Sequence, residues 1–281
     1  MEQYKIPIGA AIEAFIDFLV DNFAFATKAF SEVTESGIDL LVSAMMFFHP
    51  IVLILLFTGL AWFLSRKQGI AVFCFLGLML IWNMGLWAPT VSTLALVVIS
   101  TLFAIIIGLP LGILAAINQI FYRIVMPILD FMQTMPAFVY LIPAIPFFGL
   151  GPVAAIFSTV VFSMPPAIRL TCLGIRQVPR ELVEAADAFG SDKWQKLVKL
   201  QLPIATPTIM AGINQTIMLA LSMVVIAAMI GAKGLGGEVW KAIQRLESGK
   251  GFEAGIGIVI VAIILDRIMQ RVGGEQEHRQ H

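Results

Sequence analysis

Apolar runs long enough to cross a bilayer fill most of this chain, and one polar island interrupts them between Arg176 and Pro203. Each run is near the ~20 residues that a helix needs to cross the hydrocarbon core. Backbone polar groups in lipid must be satisfied within their own segment, so the expected architecture is an all-α polytopic membrane protein. Seven spans are predicted, at about 46–64, 69–87, 91–117, 124–149, 152–170, 204–230 and 255–272. The fourth carries Pro127, Pro136, Pro143 and Pro146, which predicts a kinked or broken span whose freed backbone groups find other partners. Composition agrees. Hydrophobic residues make up 59% of the chain, charged residues 13%, and mean hydropathy is +0.93, where a soluble domain carries roughly 25% charge.

The island reads as two short helices joined by a tight turn. Pro179 suits the first turn of a helix, where its missing N–H is no loss. Glu181 and Glu184 follow at the positive end of the helix dipole. Leu182, Ala185, Ala186 and Phe189 fall at helical spacing and make one apolar stripe. Gly190 is placed to end the helix in the left-handed conformation. Ser191 then caps a second helix, with Asp192 in its first turn and Lys196 and Lys199 towards its end, and Pro203 begins the next apolar run.

This island resembles the cytoplasmic signature loop of ABC importer permeases, EAA-x3-G-x9-I-x-L-P. Glu184, Ala185, Ala186, Gly190, Leu200, Leu202 and Pro203 stand at that spacing, with Leu200 where isoleucine is usual. The resemblance implies that the loop docks into a groove on a separate ATPase subunit. Two alanines let another backbone approach closely, and Glu184 offers a charge to pair across the contact. The plainer alternative is a solvated helix–turn–helix between spans.

Lysine and arginine placement favours the island on the cytoplasmic side. That arrangement puts twelve of the eighteen basic residues in inside loops, with the N-terminus outside and the C-terminus inside. The expected organisation is an N-terminal interfacial segment at 1–45, a permease domain at 46–272 and a short tail at 273–281. Residues 8–30 read as an amphipathic helix along the outer surface. Glu13, Asp17 and Asp21 line one face, while Ile12, Phe15, Ile16, Leu19 and Phe23 cover another. The acidic stripe reads either as a solvated face or as an attractor for cations. No cleaved signal peptide is read at the N-terminus. Cys74 and Cys172 form neither a disulfide framework nor a metal pattern, and the tail histidines His278 and His281 are too few for a metal site.

No phosphate-binding loop occurs; Gly231 to Gly237 is glycine-rich but has the wrong spacing. Ionisable residues are nearly absent from mid-membrane, where ion-coupled carriers usually place them; Asp130, Asp266 and Arg267 lie towards span ends. The chain is therefore expected to be no enzyme and to hold no cofactor, with ATP and Mg bound by a partner ATPase.

A narrower resemblance covers roughly residues 90–272. Asp130 to Pro143, Phe148 to Pro152, Pro165 to Leu170, Ala211 to Thr216, Gly234 to Glu238 and Ile264 to Arg267 look like permeases of glycine betaine/proline betaine ABC importers. The resemblance implies a type I ABC importer permease fold in a bacterial cytoplasmic (inner) membrane. It implies uptake of quaternary ammonium compatible solutes such as glycine betaine, proline betaine or choline, two permease copies, two ATPase subunits and a separate substrate-binding protein. A quaternary ammonium is best held by aromatic faces. Phe138 and Tyr140 in the broken span, and Trp82 and Trp87 in the second, are candidates. Gln133 and Thr134 suit a carboxylate or a wet path; Asn214, Gln215 and Thr216 place polar groups in the sixth span; Met135 and Met223 suit a flexible gate. Each is equally a packing or interhelical residue. Gly108, Pro110 and Gly112 are read as helix-packing positions, and His49 as an interfacial histidine. Competing readings are a permease for another small solute and a stand-alone ion-coupled carrier. An intramembrane enzyme lacks any acid/base or nucleophile pattern.

Overall fold

The computed structural model describes residues 8–22 and 24–272, and among them there are helices and turns but no strand. Three helices form the centre. They are α5 (Trp87–Ile117), α8 (Pro152–Arg176) and α11 (Leu202–Ile226), with α8 packed against both of the others. Small residues set how closely they approach. A Cβ added at Gly112 of α5 would sit 2.7 Å from the Ile168 carbonyl oxygen of α8. One added at Gly212 of α11 would meet Leu170 Cβ at 2.9 Å. The structural reading of Gly108 and Gly112 holds, since Gly108 likewise lies against Ala167. Leu96, Ile156, Met223 and Leu235 fill the main core, and a smaller cluster of Ile175, Leu197 and Ala205 underlies the polar island.

Around this centre lie α1 (Ile8–Asn22), α2 (Ala24–Phe47), α3 (Pro50–Ser65) and α4 (Gln68–Asn83). Helix α6 (Gln119–Thr134) leads through a 3-10 turn at Ala137–Tyr140 into α7 (Leu141–Phe148). Beyond α8 come α9 (Arg180–Ala188) and α10 (Lys193–Lys196), and after α11 come α12 (Leu235–Arg245) and α13 (Ser248–Val272).

Among the described residues, three helices are long and apolar enough to cross a membrane unaided: Trp87–Ile117, Pro152–Arg176 and the continuous stretch Lys193–Ile230. Two bent pairs raise that to five. Thr27–Phe47 meets Pro50–Ser65 at 102°, and Gln119–Thr134 meets Ala137–Phe148 at 112°. The count differs from the seven apolar runs for physical reasons. The second run is α4, 16 residues and so ~24 Å long. The seventh is the later part of α13, which also carries Lys250, Glu253, Asp266 and Arg267. The expected second span also ran too far, since Trp87 opens α5 and lies buried.

The N-terminal acidic stripe of Glu13, Asp17 and Asp21 is exposed on α1, and so are Ile12 and Phe15 on its apolar face. Phe23 lies outside the described residues. Phe30 of α2 sets its ring 5.4 Å from both Phe103 and Phe148, anchoring this segment to the bundle. The expected boundary near residue 45 thus falls inside a helix that packs on α5, α7 and α8.

Candidate functional site: an exposed helical loop and a broken span

The polar island folds as the spacing predicts, with two corrections at the helix starts. Gly190 takes φ +77°, the left-handed turn that separates α9 from α10. The cap of α10 is Asp192, not Ser191. Its carboxylate accepts from Gln195 N at 2.7 Å while Gln195 Oε1 accepts from Asp192 N at 3.2 Å, a reciprocal capping box. That signal was present in the sequence as Asp192-x-x-Gln195. An ion pair from Lys196 to Asp187 folds the two helices against each other. Pro179 stands at the N-cap of α9, one residue ahead of its first turn.

No residue of α9 is buried. Glu184 and Ala185 are exposed, Ala186 is half-buried, and Glu184 is held 2.7 Å from Arg180 on the same helix face. Phe189 is 91% exposed and Trp194 71%. Both side chains are therefore left without packing partners over most of their surface. Trp194 is the residue that sequence periodicity passed over, because the four-residue α10 is too short to show a stripe. Leu200 and Leu202 are half-buried and Pro203 is exposed. They do not terminate the loop. A π-type turn at Leu197–Gln201 runs directly into α11, and Pro203, which lacks an N–H for the regular i→i−4 pattern, sits just beyond it. The second helix of the island is therefore continuous with a membrane span.

The broken span also has a local cause. Pro136 has no N–H to give to the Met132 carbonyl four residues back. The Tyr140 hydroxyl donates to that carbonyl instead, and its ring packs edge-on at 5.6 Å from Phe162 of α8. Tyr140 thus holds the break closed against α8. Gln133, Thr134 and Phe138 are exposed around it, with Thr134 Oγ1 donating to the Phe131 carbonyl at 2.9 Å.

The other polar candidates lie elsewhere. Asn214 of α11 turns towards α13, where its Nδ2 donates to Asp266 Oδ1 at 2.9 Å; Gln270 Nε2 donates to the second oxygen at 2.8 Å. Gln215 is exposed, and the Thr216 hydroxyl donates to the Gly212 carbonyl. Met223 is fully buried in the main core, and Met135 packs against that core from its edge. Trp82 meets the His49 ring edge-on at 5.8 Å, while His49 Nδ1 accepts from Ile51 N at the start of α3, a capping role. The break thus carries Gln133, Thr134, Phe138 and Tyr140, while Asn214 turns to α13 and Met223 is buried in the core cluster that Tyr140 also joins.

At the opposite end of α8 a cavity of about 500 Å³ opens between the start of α5 and α12, bordered by Ser92, Lys233, Glu238 and Trp240. The glycine-rich stretch expected to be no phosphate loop forms its wall. Gly234 (φ +137°) lets Leu235 N reach Thr93 Oγ1 at 2.8 Å.

Comparison with known proteins places this arrangement. The family model described as binding-protein-dependent transport system inner membrane component matches residues 108–274. The chain is 50% identical over 275 residues to the glycine betaine transport system permease protein OpuAB of Bacillus subtilis strain 168, covering 98% of this chain and 97% of that one. It is 44% identical over 274 residues to the glycine betaine/proline betaine transport system permease protein ProW of Escherichia coli strain K12, covering 98% and 77%. Its fold is similar to the inward-facing MetNI methionine ABC transporter, with a TM-score of 0.61, 25% identity, and 65% of this chain matched to 91% of that one. The chain belongs to the binding-protein-dependent transport system inner membrane components, the permease subunits of ABC transporters.

Proposed function

We infer that this chain is the membrane subunit of an ATP-driven importer for quaternary ammonium compatible solutes, such as glycine betaine or proline betaine. The observation that carries the reading is the unpartnered surface of α9 and α10, displayed on a chain whose relatives are named for glycine betaine transport. Two ATPase subunits, holding ATP and Mg, would seat on Glu184, Ala185, Ala186 and Gly190 of two permease copies. Leu200, Leu202 and Pro203 would carry the contact into α11. This places the island and the C-terminus in the cytoplasm and the N-terminus outside. A separate binding protein would deliver solute at the opposite end.

Closure of the ATPases moves the paired loops, and each loop pushes on two helices at once, the end of α8 and the start of α11. Gln133, Thr134 and Phe138 form the weak solute site at the break. The exposed Phe138 ring suits a trimethylammonium group, a contact worth about 0.5–1 kcal/mol at an exposed site. Tyr140 sets the geometry of that site through its bond to Met132.

The test is uptake of radiolabelled glycine betaine into proteoliposomes that hold this chain, its ATPase and its binding protein. Uptake should require internal ATP and persist in excess choline. Uptake abolished by choline would redirect the assignment to choline. An assembled complex that hydrolyses ATP and imports none of these amines would overturn the solute class.

A further inference from the structure

Helices α6 and α8 run antiparallel, and three ties join α8 to α6 and the turn that follows it. Phe162, Arg169 and Arg176 recur every seven residues along one face of α8, a spacing of two helical turns. Nearest the polar island, the Arg176 guanidinium lies 3.8 Å over the Tyr122 ring. It also donates to Gln119 Oε1 at 2.9 Å and to the Ala115 carbonyl at 3.0 Å. Two turns along, Arg169 pairs with Asp130 at 2.6 Å. Two turns further, Phe162 meets Tyr140, the residue that fixes the break.

The central tie differs from the other two. It pairs opposite charges on two helices of the bundle, Asp130 towards the end of α6 and Arg169 within α8, and a lone charge within a membrane span is disfavoured. Only one guanidinium nitrogen is used; Arg169 Nε is buried without an acceptor. The pair is thus a single-point joint rather than a two-point fork, free to pivot as α8 and α6 change angle.

We propose that Arg169 and Asp130 are positioning residues that transmit movement of the α9–α10 loop along α8 to the broken span, acting through the break at Pro136–Tyr140. This rests on the importer reading for its motor. It goes beyond that reading in naming the joint.

The experiment follows the break directly. Phe138→Cys supplies a reactive thiol at an exposed position, while the native Cys74 and Cys172 are buried. Its labelling rate is measured in the full complex with and without ATP trapped by vanadate, alongside ATP hydrolysis and betaine uptake. With Asp130 and Arg169 intact, trapping should change the rate. Asp130→Asn or Arg169→Gln should leave hydrolysis in place and weaken the nucleotide-dependent change by about fivefold, the lower end of ordinary allosteric coupling. The exchanged pair, Asp130→Arg with Arg169→Asp, should restore it.

Single variants that respond like the parent would overturn the proposal, as would a parent that shows no response. An exchanged pair no better than the single variants would also overturn it. If a single variant fails to assemble with the ATPase, the exchanged pair decides alone. A complex with Phe138 intact that imports no quaternary amine refutes the solute class, and the labelling rate in the Phe138→Cys background still decides the joint.

Discussion

Gly190 carries a constraint that no neighbour imposes. A Cβ there would meet nothing within 4 Å, yet its φ is +77°. Replacement by valine therefore acts only through the backbone, at about 1–2 kcal/mol for a left-handed L-residue. The turn between α9 and α10 should open. ATP-driven uptake should fall severely while ATP hydrolysis by the assembled complex continues; full uptake in Gly190→Val would refute the role given to this turn. Trp194 makes the opposite case, since it is 71% exposed in the isolated chain. Trp194→Ala should leave thermal stability within about 0.5 kcal/mol but weaken ATPase association by about 2 kcal/mol, measured by titration in detergent. The turn glycine was legible because backbone conformation is a local property. Trp194 was not, since exposure in a four-residue helix depends on how α10 folds back through Lys196 and Asp187.

The elements show which local signals decide structure and which do not. Four prolines marked the fourth span as irregular, but only Pro136 stands at the break. Pro127 and Pro146 lie inside helices. Sequence alone did not distinguish them, because the break depends on a hydroxyl that takes over the Met132 carbonyl. Tyr140→Phe removes that donor and leaves the carbonyl unpaired, at about 1–3 kcal/mol. Its thermal midpoint in detergent should drop, whereas a midpoint equal to the parent's would show the hydroxyl to be idle. At the α5–α8 contact, Gly112→Ala should cost about 1–3 kcal/mol by overpacking. Gly59 on α3, where an added Cβ meets nothing, is the matched control: Gly59→Ala should not lower the midpoint.

Across the whole molecule, the central bundle was readable from apolar run length, because α5, α8 and α11 are long enough to show it. The N-terminal region was less so. Glu32, Glu35 and Asp39 kept α2 out of the apolar runs read from sequence, yet Phe30 and the buried Thr34 tie it to the bundle. Helix α1 is different, since its packing is confined mainly to α7. A chain lacking residues 1–22 should still copurify with the ATPase; loss of that association would mean that α1 supports the fold more widely than its contacts indicate.

The unbroken helical stretch from Lys193 to Ile230 has a mechanical consequence. Its 38 residues span ~57 Å at 1.5 Å each. If the α10 end seats on an ATPase as proposed, the stretch would act as a lever pivoting at that end. A tilt of about 5° at that end sweeps the far tip by about 5 Å, the pitch of one helical turn. In that arrangement, nucleotide-driven steps too small to reshape any helix would be enough to open and shut the far side of the membrane.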